Sequence, residues 1–362
     1  MTSLRPSVRQ VLLDRLDSGS KPGDREDDHK LVLAVEGGGM RGAVSSGMLL
    51  ALEQLGLRDS IDEVVGTSAG ALAAAFFVIG KGTAGSSLFY TVLNSETFMN
   101  RRRLVTDGAV MDLDYLIDTA MPRYGFDWDD ILASHIPLWA TVTPASEGDP
   151  NTLYRVGSTK EHAREVLAAT AALPVLSGGN RMIGDRPYVD GGMLEAVPWA
   201  SAIGRNATHV LVIRSRDFNK GGAIEEHTLV ERATARRFVG RLHGEVVAKA
   251  VRRSTERFWN STEALRSVIE GNASSLAGVD RDVEIDVVIP ASETVLPERL
   301  ELDTHVLLDA LAAGADAMLR YLDLEGFSVE QRVVVTHPRA PIGRVRTKSL
   351  RPIVADRRTL PR

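Results

Sequence analysis

The sequence predicts an α/β fold with a mainly parallel central sheet and helices on both faces. Two successive strand–loop–helix units support this prediction. In the first, the apolar strand Leu31–Val35 leads through a glycine cluster into a helical segment over Val44–Leu55. In the second, the β-branched segment Ile61–Val65 leads through a tight turn into the alanine-rich segment Ala71–Ile79. Strands that alternate with helices are typical of parallel sheets covered on both sides.

Later parts of the chain continue the same pattern. Four further apolar segments are predicted strands, namely Leu138–Val142, Tyr188–Val189, His209–Arg214 and Val283–Ile289. Two late segments are predicted helices, Leu229–Ile269 and Asp303–Leu322. No internal repeat interrupts them. We therefore expect the sheet to extend well beyond the two opening units.

Both ends of the chain differ from its middle. Near the N-terminus, Val8, Val11 and Leu12 fit one face of a short helix, and the polar run from Asp17 to Lys30 has no core-forming residues. We interpret residues 1–30 as an appendage and linker. Residues 337–362 are strongly basic and contain one acid, so they predict a flexible tail that could contact anionic lipid surfaces.

Composition excludes several classes of function. The 362 residues contain no cysteine, so disulfides, thiolate metal sites and cysteine nucleophiles are excluded. A net charge of −5 argues against a nucleic-acid partner for the whole chain. The longest apolar stretch, Ala69–Ile79, is about half of the roughly 20 residues that a transmembrane helix needs. With no secretory signal pattern either, the chain is expected to be cytoplasmic, with the basic tail as a means of peripheral membrane contact.

The turn Gly66-Thr67-Ser68-Ala69-Gly70 has the G-x-S-x-G form and lies between a predicted strand and a predicted helix. At such an elbow a serine adopts strained backbone angles and projects above the sheet. The flanking glycines lack side chains that would collide with the neighbouring strand and helix. Ser68 is therefore a candidate nucleophile. The alternative is that Ser68 only caps the following helix.

The loop Gly37-Gly38-Gly39-Met40-Arg41-Gly42 opens the preceding helix. Consecutive glycines expose backbone N–H groups beside a helix N-terminus, which suits an oxyanion, and the N–H of Ala69 is placed to add another donor. The same glycines also satisfy the dinucleotide-binding pattern G-x-G-x-x-G. That alternative needs an acid at the end of the next strand, whereas Asp62 and Glu63 lie at its start.

A third motif, Asp190-Gly191-Gly192, follows the short strand Tyr188–Val189. By itself this sequence is typical of a turn. A carboxylate at the end of a strand can also reach a serine hydroxyl on a neighbouring strand and act as its base. The chain therefore offers Asp190 as a candidate base for Ser68.

In this order the three motifs, GGGMRG, GTSAG and DGG, resemble those of the patatin-like phospholipase family, and the late helices resemble a bacterial subgroup of it. The resemblance implies a three-layer α/β domain over residues 31–325, with a catalytic core at 31–215 and a mostly helical part at 216–325. It further implies a Ser68–Asp190 dyad without histidine, an oxyanion loop at Gly37–Arg41, and hydrolysis of acyl esters of phospholipids or other lipids. No metal or other cofactor is expected.

Two other functions stay open from the sequence. A Ser-Asp-His hydrolase is permitted by the chain order, with His209 or His337 as the third member. A non-catalytic lipid-binding protein could keep the same fold.

One departure from the family pattern, Glu195 after the DGG motif, leaves the shape of the pocket open. If Asp190 is the base, activity should persist to lower pH than a histidine base permits.

Overall fold

A computed structural model describes residues 5–100, 102–103, 109–219, 229–270 and 283–324. Within these residues, eight strands form one sheet in the order β5-β6-β3-β2-β1-β7-β8, with β4 also paired to β3. The strands are β1 (Leu31–Val35), β2 (Glu63–Gly66), β3 (Leu138–Pro144), β4 (Leu153–Val156), β5 (Arg181–Ile183), β6 (Arg186–Asp190), β7 (His209–Ile213) and β8 (Glu284–Val288).

The helices are α1 (Val8–Ser18), α2 (Gly42–Gln54), α3 (Ala69–Val78), α4 (Gly82–Thr91), α5 (Met121–Arg123), α6 (Trp128–Ala133), α7 (Lys160–Thr170), α8 (Trp199–Gly204), α9 (Leu229–Ile269) and α10 (Thr304–Tyr321). A π-helical segment, Tyr115–Ala120, precedes α5. The long helix α9 is interrupted at Gly244, whose φ of 85° is not helical, so the predicted continuous segment is two helices joined at a kink.

The central strand β1 shows why the sheet is covered on both faces. All five of its residues are buried. Leu31, Leu33 and Val35 join one hydrophobic cluster, while Val32 and Ala34 join another. Side chains alternate between the two faces of a strand, so each face has its own core. This arrangement confirms the predicted α/β fold, with a mainly parallel sheet flanked by helices.

Strand direction decides which loops meet. β1 pairs in parallel with β2 and β7, so their carboxyl ends, and the loops that follow them, lie at the same edge of the sheet. β3 also runs parallel to β2 but continues beyond the last paired residue, Gly66. The antiparallel strand β6 ends beside this extension, where Asp190 pairs with Val142.

The late helix α10 packs directly on α2 through two glycines. A Cβ added to Gly47 would lie 2.0 Å from the carbonyl oxygen of Leu311, and one added to Gly314 would lie 2.0 Å from that of Val44. Because any larger side chain would separate the two helices, these glycines attach the end of the described chain to the helix that follows the Gly37–Gly42 loop.

For residues 5–30, which the structure describes, the interpretation as an appendage is corrected. Val8, Val11 and Leu12 of α1 are at most 2% exposed and belong to the main hydrophobic cluster. Arg15 is buried as well and donates hydrogen bonds to the carboxylates of Asp27 and Asp62. The polar run after α1 lacks apolar residues but is attached through these ion pairs, which the hydrophobic pattern could not reveal.

The predicted basic tail, residues 337–362, lies outside the described residues, so its flexibility and its contact with lipid surfaces stay predictions. None of the described helices combines the length and the apolar character that a membrane span requires.

Candidate active site

Ser68 lies at a sharp turn between β2 and α3, with φ of 53° and ψ of −128°. A Cβ on Gly66 would lie 2.6 Å from the Cα of Ala71, and a Cβ on Gly70 would lie 2.5 Å from the carbonyl oxygen of Glu36. Both glycines are therefore required by close packing. A positive φ at a non-glycine residue costs about 1–3 kcal/mol, which the surrounding contacts must offset.

One of those contacts comes from Thr170, whose buried hydroxyl oxygen accepts the backbone N–H of Ser68 at 2.9 Å. Ser68 occupies the position that caps α3, yet its side chain makes no capping hydrogen bond. Its hydroxyl is directed elsewhere.

The hydroxyl of Ser68 donates to Asp190, with 2.5 Å between Oγ and Oδ2. The other carboxylate oxygen, Oδ1, accepts the N–H of Gly192 at 2.7 Å. Gly191 must be glycine, since a Cβ there would lie 2.3 Å from the carbonyl oxygen of Thr141. The turn after β6 thus holds the carboxylate in position, and both Ser68 and Asp190 are buried.

Burial raises the pKa of Asp190 to about 6, although the hydrogen bonds from Ser68 and Gly192 and the charge of Arg299 oppose the shift. A carboxyl group with this pKa is mostly ionised at neutral pH and is a better base than an exposed aspartate. The ordinary pKa of histidine is about 6.5. The pH dependence of an Asp190-dependent activity is therefore expected to differ only slightly from that of a histidine-dependent one.

If Ser68 and Asp190 act on an ester, as the sequence predicts, hydrolysis should be half-maximal near pH 6 and level off above it, because only the deprotonated form of Asp190 can accept a proton. The measurement is kcat/KM for a neutral ester across the range from about pH 4.5 to 8.5. A neutral substrate keeps the profile free of substrate ionisation. Full activity at the acidic end of this range would contradict either the raised pKa or the role of Asp190.

Most N–H groups of the glycine-rich loop already donate to carbonyl oxygens of the protein. The N–H of Gly37 donates to the carbonyl oxygen of Ala196, and that of Met40 donates to the carbonyl oxygen of Arg299. Those of Arg41 and Gly42 bond back to carbonyl groups of the same loop. The N–H groups of Gly38, Gly39 and Ala69 have no acceptor among the described residues. The predicted set of donors is thereby reduced to these three.

Glu36, which immediately precedes the loop, is completely buried in a charged network. Its carboxylate accepts hydrogen bonds from the N–H and the hydroxyl of Ser215 and from the Nε–H of Arg216. The Nε of Arg214 lies 3.9 Å from Glu36 Oε2. Burial by itself would raise the pKa of Glu36, but Arg216 and Arg214 outweigh it and hold that pKa below its usual value. The network connects the residue after β1 to the residues after β7, next to the glycine loop.

Ser68 and Ala69 open onto a narrow cavity of about 30 Å³. Its other described lining residues are mostly apolar, namely Gly39, Met40, Leu72, Leu93, Phe98, Met99, Met111, Leu113, Leu116, Ala171, Leu173 and Arg299. Ligand pockets usually measure roughly 300 Å³ or more, so an acyl chain could enter only if side chains moved. Methionine side chains are well suited to such rearrangement because they are unbranched and flexible.

A larger cavity of about 380 Å³ lies beside the Gly191 turn, and Ser68 does not line it. Glu195 does, and its carboxylate accepts the N–H and the hydroxyl of Ser201 at the start of α8. Glu195 is therefore not part of the lining of the cavity beside Ser68, although its position in the sequence left that open.

The histidine alternative finds no support in this geometry. His209 lies at the beginning of β7, at the sheet edge opposite the one that carries Ser68. Its ring nitrogens bond to Thr208 and to the carbonyl oxygen of Pro6. The other candidate, His337, lies outside the described residues. Among the described histidines that the chain order permits, none makes a hydrogen bond to the Asp190 carboxylate.

The dinucleotide-binding alternative lacks its acid. Asp62 pairs with Arg15 and Arg25, and Glu63 pairs with Lys30 and Arg205. These ion pairs hold both acids near the beginning of β2, at the sheet edge opposite the glycine loop. A ribose bound by that loop could not reach them.

Three contributors to the site were not found from the sequence. Glu36 could have been suspected, because it is the single acid directly after a wholly apolar strand and before the glycine loop. Thr170 lies in an alanine-rich helical segment and carries no such signal. Arg299 lies in a stretch without periodicity, far after Ser68 in the chain, so only the folded chain brings it to the site.

Comparisons with known proteins show which proteins this chain resembles. Residues 33–203 match the family model described as patatin-like phospholipase. The chain is 24% identical over 189 residues to the uncharacterized protein YjjU of Escherichia coli strain K12, a match that covers 51% of this chain and 52% of that protein. The chain thus spans about half the length of this curated relative.

Among solved structures, the crystal structure of VipD from Legionella pneumophila is similar to 82% of this chain over 67% of its own, with 14% identity and a TM-score of 0.41. A likeness of this strength carries no argument about function.

Proposed function

We propose that this chain, whose residues 33–203 form a patatin-like phospholipase domain, is a serine acyl hydrolase that cleaves lipid esters with Ser68 as nucleophile and Asp190 as base. The observation that carries the proposal is the 2.5 Å hydrogen bond from the Ser68 hydroxyl to the buried Asp190 carboxylate. It joins a nucleophile to its base directly, without an intervening imidazole.

The surroundings of this pair support acyl transfer. The N–H groups of Gly38, Gly39 and Ala69 belong to the loop and the turn beside Ser68 and are available to an oxyanion. Each donor aimed at the developing charge can contribute roughly 3 kcal/mol to transition-state stabilisation. The adjoining cavity is lined largely by apolar side chains, which suits an acyl chain better than a polar substituent.

In the proposed reaction, Ser68 Oγ attacks the ester carbonyl carbon while Asp190 accepts the hydroxyl proton. The carbonyl oxygen takes up the negative charge and is stabilised by the N–H groups of Gly38, Gly39 and Ala69. Asp190 then returns the proton to the departing alcohol, which leaves an acyl group on Ser68. Attack by water, with Asp190 again as the base, releases the fatty acid and restores the serine.

The proposal is tested by offering purified protein a series of p-nitrophenyl esters of increasing chain length, beside mixed phospholipid vesicles. We expect ester cleavage and fatty-acid release, together with covalent labelling of Ser68 by a fluorophosphonate probe. The Ser68→Ala protein is the control for background hydrolysis and labelling. If the folded wild-type protein binds vesicles but neither releases fatty acid nor takes up the probe, a non-catalytic lipid-binding role replaces the proposal.

A further inference from the structure

The loop between β8 and α10 forms part of the candidate active site, although it is distant from the three motifs in sequence. Leu296 and Leu300 pack against the main hydrophobic cluster, and Arg299 lies between these anchors. The carbonyl oxygen of Arg299 accepts the N–H of Met40 at 3.1 Å. Main-chain bonding therefore fixes where the Arg299 side chain begins.

Close packing against the glycine loop adds to this placement. A Cβ on Gly39, whose φ is 61°, would lie 2.6 Å from the carbonyl oxygen of Arg299 and 2.9 Å from its Cγ. The first carbons of the arginine side chain thus rest on the loop that offers N–H groups to the substrate. Only glycine at position 39 leaves room for them.

The charge of this side chain acts on the candidate active site. Arg299 lines the same cavity as Ser68 and Ala69, and its charge acts on the carboxyl group of Asp190. Among the described residues that line this cavity, Arg299 is the one that carries a charge. The residue is partly exposed.

A guanidinium group binds phosphate in a planar, two-point geometry that no neutral side chain can reproduce. In a glycerophospholipid only a short glycerol segment separates the phosphate from the nearest ester carbonyl. When that carbonyl lies at Ser68 and its acyl chain enters the apolar cavity, the phosphate must lie close to the cavity mouth. The cationic side chain that lines the cavity is that of Arg299.

We propose that Arg299 is a specificity-determining residue that binds the phosphate of a phospholipid substrate while its ester lies at Ser68, an inference that rests on the proposed acyl hydrolase function. Neutral glycerides carry no anionic group that this guanidinium could bind. The enzyme should therefore favour phospholipids over neutral esters that bear the same acyl chain.

The test compares Arg299→Gln with wild type on two substrates that share one acyl chain, a lysophosphatidylcholine and a monoacylglycerol, in neutral detergent micelles. Loss of the charge-assisted hydrogen bonds should lower kcat/KM for the lysophospholipid by about 10- to 100-fold, mostly through KM. Hydrolysis of the monoacylglycerol should change by less than about threefold. Arg299→Lys should retain part of the preference, and Arg123→Gln, at an exposed arginine, controls for the change in net charge.

A second measurement separates phosphate recognition from catalysis. Binding of dodecyl phosphate, dodecanol and inorganic phosphate is measured by calorimetry on Ser68→Ala protein, with and without Arg299→Gln. Of these three ligands, only dodecyl phosphate is expected to bind tightly to the Ser68→Ala protein. The double variant Ser68→Ala, Arg299→Gln is expected to lose this binding. Tight binding of inorganic phosphate by itself would indicate a free-anion site and overturn the lipid assignment.

The outcomes distinguish this inference from the function on which it rests. Equal losses on both substrates would mean that Arg299 acts through Asp190 or the glycine loop, and would overturn phosphate recognition. Hydrolysis of the monoacylglycerol without a preference for the lysophospholipid would also overturn it, while leaving the acyl hydrolase intact. If neither ester is cleaved and Ser68 takes up no fluorophosphonate, the proposed function itself fails.

Discussion

Replacing Asp190 by asparagine is expected to lower the rate of acyl hydrolysis by about three orders of magnitude or more, as is replacing Ser68 by alanine. The amide keeps the shape of the carboxylate but cannot accept the serine proton. Because the two residues act as a unit, the double variant should be no slower than either single one. The measurement is kcat for a p-nitrophenyl ester, with the fold of each variant verified by circular dichroism.

Loss of activity in Asp190→Asn should not come from unfolding. The pKa of Asp190 is about 6 in the folded protein against an ordinary value of 3.8, so the native state holds this proton to higher pH than the unfolded state does. As pH rises from about 3.8 to about 6, Asp190 ionises and the free energy of unfolding decreases. It stays lower above about pH 6. Above this interval the neutral amide is expected to give a melting temperature at least equal to that of wild type.

Matched variants identify the base. Asp185→Asn removes the charge of an aspartate whose side chain is 97% exposed and should leave activity unchanged. His209→Ala and His337→Ala should both retain most of the activity. A folded but inactive variant of either histidine would replace the dyad with a triad, and an active Asp190→Asn protein would exclude Asp190 from the mechanism.

Replacing Gly38 by alanine is expected to lower kcat about a hundredfold with a much smaller change in KM. A Cβ at this position would lie 3.2 Å from the Cβ of Arg41 and 3.3 Å from the hydroxyl oxygen of Ser215. Arg41 belongs to the same loop, so relief of its contact with the new methyl group is expected to shift the loop and move its N–H donors away from the alkoxide. The charge on that oxygen develops mainly in the transition state, so kcat is reduced most.

Gly204→Ala is the matched control, because a Cβ there would have no neighbour within 4 Å. The measurements are kcat and KM for one p-nitrophenyl ester, with melting temperatures to verify folding. Should Gly38→Ala raise KM and leave kcat unchanged, the loop would bind the substrate in its ground state, and its assignment to the oxyanion would be wrong.

Several elements were predictable because their signals are local. The strand β1 is a continuous apolar run, and the elbow at Ser68 requires glycines at fixed spacing on either side, as the close contacts of Gly66 and Gly70 explain. Short polar strands carry weaker signals. The sequence pattern does not predict β4 and β5, since β5 has three residues and β4 is only partly buried.

The candidate donors illustrate what local pattern leaves out. The glycine loop predicts exposed N–H groups, but the sequence contains nothing to show that Gly37 bonds to Ala196 or that Met40 bonds to Arg299. Both acceptors come from distant parts of the chain. Which N–H groups remain available is therefore a property of the packed loop.

The fold class and the candidates for nucleophile and base followed from the amino-acid sequence, because glycine spacing and strand–helix alternation depend on neighbouring residues. Their arrangement in space came only with folding. Asp190 lies within hydrogen-bond reach of Ser68 because antiparallel β6 ends beside the extension of β3 beyond Gly66. The pKa of Asp190, the set of available donors and the position of Arg299 result from burial and long-range contacts, which no local spacing encodes.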